Sequence, residues 1–297
     1  MAILSYEFMQ RALLAAVMIG LAAPTVGVYL VQRRLALIGD GMGHVALTGV
    51  AVGVLTSQNP VWTALLLAVA GAVSIELIRA FGRTSGDVAL AVLFYGGIAG
   101  GVVLISRAPG GTPANLNAYL FGAITTTTPQ DLAVFVALTA AVLVVTLGLG
   151  RYIFAVSNDE EFAGASGLPV LALNLLLAVV TAATVVISMR VVGLLLISAL
   201  MVVPVATAQL LSRSFRGTVA VSMLIGLASS TSGVVVSFYA DTPSGGTIVL
   251  MAIAGFSLVA GVSAVRARLT RARRTEVPSV TSVPPTSVPP VSVDGVG

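Results

Sequence analysis

An aspartate and the chain's single histidine, Asp40 and His44, stand four residues apart in the stretch RRLALIGDGMGHVALTGVAVG from Arg33 to Gly53. In a helix that spacing places both side chains on one face, so a carboxylate and an imidazole come within reach of one cation. Ionisable residues at membrane depth mark ion paths, and an acid with a histidine at the mouth of an apolar segment points to a metal path. A histidine at a helix end is equally satisfied by a backbone carbonyl or a neighbouring acid, so the spacing alone leaves both readings open.

Hydrophobic residues make up 57% of the 297-residue chain and charged residues only 9%, against about 25% charged in a soluble domain. The charges cluster, leaving Val88 to Ser106, Leu132 to Gly150, Val191 to Ser212 and Thr218 to Ala240 without any. Each interval matches the roughly 20 helical residues that cross a hydrocarbon core. A transmembrane barrel would instead alternate polar and apolar residues over about 10-residue strands, so the expected fold is all-α, a polytopic helix bundle.

The chain has no cysteine, which removes thiolate metal sites and disulfides from consideration. It has no lysine either, and all 15 basic residues are arginine. A Walker A phosphate loop needs its lysine on the β and γ phosphates. If ATP drives this chain, the ATPase is another polypeptide, and no cofactor is expected on this one.

The pattern predicts nine spans: Phe8 to Val31, His44 to Leu55, Val61 to Ala80, Val88 to Ser106, Leu132 to Gly150, Val170 to Met189, Val191 to Leu211, Thr218 to Tyr239 and Thr247 to Val265. The second is short, and a tight turn near Arg190 divides the sixth from the seventh. With the N-terminus outside and the C-terminus cytoplasmic, twelve arginines fall inside and only Arg11, Arg107 and Arg190 outside, the bias expected of cytoplasmic loops. The first segment is too long for a removable signal peptide and is read as a span. Residues 1–265 then form a transmembrane domain, and 266–297 a basic juxtamembrane segment with a tail.

The outer loop from Arg107 to Asp131 carries a short amphipathic stretch around Leu116 to Phe121, suited to a cap or docking surface. Tyr152 to Pro169 falls inside. Asn158 or Asp159 there can cap a short helix containing Glu160, Glu161, Phe162, Ala163 and Gly164, with Pro169 opening the next span. Arg266, Arg268, Arg271, Arg273 and Arg274 suit anionic lipid headgroups. The SVPP-repeating end cannot bury enough apolar area to fold, so a disordered tail is expected. Elsewhere, Glu76 sits three residues before Arg79, a spacing suited to an ion pair. Asp87 suits the dipole at a helix start. Asp241, in YADTPSGG, is explained mostly by turn chemistry and otherwise is a residue that a metal meets on its way in.

Four blocks in order, RRLALIGDGMGHVALTGVAVG at Arg33, LNAYLFGAITTTTPQDL at Leu116, MRVVGLLLISALMVVPVATAQLLSR at Met189 and SFYADTPSGGTIVL at Ser237, carry a family likeness. The chain resembles the membrane permease subunit of metal-importing ABC transporters of the ABC-3 type, which take up zinc, manganese or iron. The resemblance implies a bacterial cytoplasmic-membrane protein that pairs with a second copy of itself over ABC ATPase subunits. It also implies an extracytoplasmic metal-binding protein that delivers the ion, with ATP on the partner subunit. It carries the GD-x-x-x-H block onto Gly39, Asp40 and His44 as lining of the path, and the coupling helix onto the loop from Asn158 to Gly167. Nothing in the chain points to nucleic acid.

An importer must release its ion, and one Asp and one His from each of two copies give at most four protein ligands, a weak site in transit. Gly39, Gly41 and Gly43 each cost a helix about 1 kcal/mol relative to Ala, so unwound backbone is expected there, lining a cavity. Imidazole leans to zinc and carboxylate to manganese, with zinc slightly favoured. The alternative is an ion-coupled secondary transporter of a small cation, with Asp40, His44 and Glu76 as a proton relay.

Overall fold

The computed structural model describes residues 6–82, 86–107, 120–122 and 128–275. Its elements are α1 (Glu7–Gln32), α2 (Ile38–Leu55), α3 (Pro60–Phe81), α4 (Gly86–Ser106), α5 (Pro129–Gly148), α6 (Gly150–Asn158), α7 (Glu160–Ala165), α8 (Val170–Val191), a 3-10 turn (Leu194–Leu196), α9 (Ile197–Leu211), α10 (Phe215–Ala240) and α11 (Ser244–Thr275). The all-α expectation holds, with no strand among the described residues. In hydrocarbon every backbone N–H and C=O must be satisfied within its own segment, which uninterrupted apolar runs do only as helices. Among the described residues eight helices are long and apolar enough to cross a membrane, and α9, at 15 residues, is a shorter apolar one.

Helix starts follow local chemistry. Asn59 Oδ1 accepts from the Val61 amide at 2.9 Å ahead of Pro60, opening α3. Thr128 and Asp131 form a reciprocal capping box around Pro129, opening α5.

Two boundaries differ from the sequence reading. The second span starts at Ile38 rather than His44, because Arg34 takes φ 59° and the Leu35 amide donates back to Leu30 O at 2.8 Å. That turn ends α1 abruptly and lets a full helix restart. The break between the sixth and seventh spans lies not at Arg190 but at Gly193, at φ 86°, where a Cβ would fall 2.4 Å from the Gly122 nitrogen. The expected disordered tail from Glu276 onward lies outside the described residues, as does most of the Leu116 to Phe121 stretch.

Residues 1–260 form one compact unit and 261–297 a second, whose described part is the end of α11. Within the first unit, α1 packs against α5, α8, α9 and α10, and α2 against α3, α4 and α8. These central helices are mostly buried, 72% of the α1 span and 67% of α2 and α8, against 17% for α4. Running from Gly41 to Thr48, α2 meets Leu90, then Phe94, then Gly97, so α2 and α4 are parallel. In the opposite sense, Gly53 meets Pro60 and Gly49 meets Ala64, so α3 returns antiparallel. Rings of Tyr6 and Phe238, with centroids 6.2 Å apart, gather one end of the bundle. Tyr29 and Phe215, at 5.4 Å, gather the other.

One close seam is α1 on α10. A Cβ on Gly226 would lie 2.4 Å from Gly20 O, and Ser230 Oγ donates across the seam to Ala16 O at 2.8 Å. Small residues let membrane helices approach this closely. Gly226→Leu is therefore expected to destabilise the bundle by about 1–3 kcal/mol through overpacking. Gly255→Leu, where a Cβ meets nothing within 4 Å, should leave it unchanged. Thermal unfolding of both variants in detergent checks this, and equal loss in the two would refute it.

Candidate functional site

Asp40 lies in the first turn of α2, where a carboxylate is favoured by the helix dipole, and His44 stands one turn further on the same face. Both are half-buried. They face α4: the His44 ring meets Phe94 edge-on, with centroids 4.6 Å apart and planes at 77°. Asp40 opens on a cavity of about 370 Å³ whose other walls are Leu37, Leu90, Ala91, Phe94 and Tyr95. His44 Nδ1 is buried and makes no hydrogen bond among the described residues. Leaving such an atom unpaired costs about 1–3 kcal/mol, so it is a donor or acceptor available to a ligand.

The backbone here is not unwound. The helix runs unbroken through Gly39, Gly41 and Gly43, and the glycines serve close packing instead. A Cβ at Gly39 would lie 2.8 Å from Ser198 Oγ, and one at Gly41 2.5 Å from Leu90 Cδ1. Among the described residues no group of three or more His, Cys, Asp or Glu could hold an ion. The described residues therefore offer the pair and no cage.

Asp241 caps α10 in the left-handed region, at φ 50° and ψ 46°, and is exposed. Its amide donates to Ser237 O, and Ser237 Oγ donates to Thr242 O at 2.5 Å. Asp tolerates this conformation better than most residues, and Asp241 does not line the Asp40 cavity.

The short helix expected in the Asn158 to Gly164 stretch is α7. Asp159 caps it, its Oδ1 accepting from the Phe162 amide at 2.9 Å, while Asn158 closes α6 and accepts from Gln32 Nε2 at 3.1 Å. Glu160 is the hub of an ionic junction. Its carboxylate accepts from Arg33, from Arg79 at 2.7 Å and from Asn174 Nδ2 at 3.2 Å. Arg79 also donates to Glu76 at 2.9 Å, the pair that the spacing anticipated. Burial alone would raise the Glu160 carboxyl, but the hydrogen bond and charge of Arg79 and the charge of Arg33 outweigh it and hold it below the usual range. Burial and the neighbouring Arg79 charge lower Arg33. Ala163 is buried against the chain, whereas Glu161, Phe162 and Gly164 are exposed.

Sequence reasoning missed Arg33, Asn174 and Ser198. Arg33 registered only as one of the cytoplasmic charges, and no local pattern ties it to a residue 127 positions away. The alternative secondary-transporter reading placed Glu76 in a proton relay with Asp40 and His44. Glu76 instead belongs to the ionic junction and does not line the Asp40 cavity.

The described residues form a multi-pass helical bundle with an acid and a histidine at the start of a largely buried helix. Residues 5–262 match the family model described as ABC 3 transport family, and the chain belongs to that family. It is 35% identical to a probable metal transport system membrane protein of Treponema pallidum (strain Nichols), over 89% of this chain and 99% of that one. It is 30% identical to the manganese transport system membrane protein MntC of Halalkalibacterium halodurans, over 94% and 97%. The high-affinity zinc uptake system membrane protein ZnuB of Buchnera aphidicola subsp. Acyrthosiphon pisum is 29% identical over 82% and 94%. The fold matches the solved structure of PsaBC from Streptococcus pneumoniae in complex with Fab at a TM-score of 0.78, with 28% identity, covering 86% of this chain and 92% of that one. The chain is thus a multi-pass membrane permease of the ABC 3 transport family in the cytoplasmic membrane.

Because the Glu160 carboxyl is held below its usual range, the ion pairs contribute fully above that range and are lost only as pH falls through the lowered value. Amide exchange at Phe162 to Ser166 is expected to stay slow from neutral pH down past the usual carboxylate range. In Glu160→Gln it should be fast throughout. Equal protection in the variant would show that α7 is held by Ala163 alone.

Proposed function

We propose that this permease conducts a divalent transition-metal ion, zinc first and manganese next, past Asp40 and His44. The observation carrying this reading is the acid–histidine pair on one face of α2, with the buried His44 Nδ1 unpartnered beside the Asp40 cavity. Imidazole nitrogen suits zinc, and a carboxylate keeps manganese within reach. In a pair of copies the two chains together supply four ligands, enough to replace part of the hydration shell yet weak enough to release the ion. Tight capture then belongs to an extracytoplasmic metal-binding protein that delivers the ion. Asp241, exposed at the other end of the chain's path, is a residue the ion meets first.

The basic end of the bundle is cytoplasmic on this reading, with the N-terminus outside, following the arginine bias. There α7 meets a separate ABC ATPase subunit, which binds the ATP. Glu161, Phe162 and Gly164 form the outward face, and Glu160 and Ala163 grip the permease. Force on α7 passes through Glu160 to Arg33, which opens the linker to Ile38 and Asp40. Residues 1–265 make up the permease domain.

Asp40→Ala and His44→Ala are each expected to reduce metal uptake by more than the roughly 10–100-fold that loss of an outer-shell partner costs, with assembly and basal ATP hydrolysis retained. Uptake of both zinc and manganese in a strain carrying each variant is the measurement. Wild-type uptake in both variants would overturn the assignment.

Gly164→Arg tests the coupling face. A Cβ at Gly164 meets only Val170 Cγ2, at 3.7 Å, so the permease folds and the added bulk and charge act on the docking partner. Transport is expected to fail while thermal stability stays at the wild-type value. Wild-type yield with the ATPase together with wild-type transport would exclude α7 as the contact.

A further inference from the structure

We infer that the groove between α1, α5, α6 and α10 at the basic end of the bundle is a binding site for an anionic phospholipid, its phosphate between Arg151 and Arg216 and an acyl chain along Leu147, Val219 and Met223. The groove has a volume of about 710 Å³, and no Asp or Glu lines it. Two guanidiniums without an acid between them call for an anion. Arg151 donates once, to the Tyr152 hydroxyl at 2.7 Å, and lies 4.6 Å above that ring. A guanidinium has five N–H groups, so most remain free for a phosphate.

Depth selects a lipid over a free anion. The mouth lies where α5 ends at Gly148 and α10 begins at Phe215, the level at which the chain leaves the span. Val219 and Met223 lie one and two turns further along α10, inside the membrane-crossing part. The floor is aromatic: Phe215 packs on Tyr29 at 5.4 Å and on Phe154 at 4.3 Å. Both hydroxyls that line it are satisfied, since Tyr29 donates to Thr146 O and Thr146 Oγ1 to Val142 O, each at 2.7 Å. The occupant must therefore carry charge at one end and hydrocarbon at the other. Basic pockets between transmembrane helices bind anionic headgroups in this way.

The test uses the full-length permease in neutral detergent with phosphatidylglycerol as the probe, read by native mass spectrometry and thermal shift. Phosphatidylglycerol is expected to stay bound and to raise the unfolding temperature, whereas phosphatidylcholine and soluble glycerol phosphate do neither. Arg151→Gln with Arg216→Gln should weaken retention roughly ten-fold or more. Ala220→Trp, which fills the exposed apolar wall without touching charge, should displace the lipid too. Arg213→Gln, at the same end but outside the groove, should change nothing. Unchanged retention in the Arg151/Arg216 variant overturns the proposal, as does equal loss in Arg213→Gln, which would mean surface charge only. The chain has no cysteine, so Met223→Cys provides a further arm. Disulfide-linked dimers formed through it would place a second copy in the groove instead of lipid.

Discussion

Hydrocarbon offers helices no hydrophobic reason to associate, since a lipid tail is as apolar as a leucine, so this bundle depends on backbones that approach closely enough for dispersion to accumulate. That constraint explains the composition of α1. Nearly half of its buried residues are alanine or glycine, with Ala12, Ala15, Ala16, Ala22 and Ala23 fully buried. Gly20 and Gly226 let α10 lie against it with backbone atoms in near contact. The same device recurs on α2, where the glycines around Asp40 bring α4 and α9 in.

Polar groups inside such a medium are tolerated only when satisfied. Most hydroxyls here return to their own helix: Thr25 to Ala22 O, Thr181 to Leu177 O, Thr184 to Val180 O and Thr207 to Val203 O. Among the described residues five buried atoms break that habit: His44 Nδ1, Thr139 Oγ1, Ser157 Oγ, Ser188 Oγ and Ser198 Oγ, the last lying over Gly39. Of these only His44 Nδ1 is an imidazole nitrogen, a group that binds transition metals well.

The ionic junction and the metal face share a short piece of chain. Arg33 binds Glu160 of α7, and the turn at Arg34 and Leu35 then leads directly into α2 and Asp40. The junction ties α7 to the ends of α1, α3 and α8 through Arg33, Arg79 and Asn174. A displacement of α7 cannot occur without straining these contacts or carrying them along. On the proposed reading this is the physical link between the nucleotide cycle and the ion path.

The all-helical class, the spans and the Asp40–His44 pair were legible in the sequence because hydrophobic runs and i, i+4 spacing are local properties. So was the Glu76–Arg79 pair, three residues apart. Glycine content suggested unwinding at residues 39–43, yet the helix persists, since tight packing by Leu90, Leu194 and Ser198 repays the local propensity cost. The helix start at Ile38 and the break at Gly193 depended on left-handed turns that no apolar pattern records. Only the tertiary structure brought Arg33 to Glu160, or set Phe94 against His44. Those contacts join residues far apart in the chain, and their partners are chosen by how helices pack rather than by any spacing within one of them.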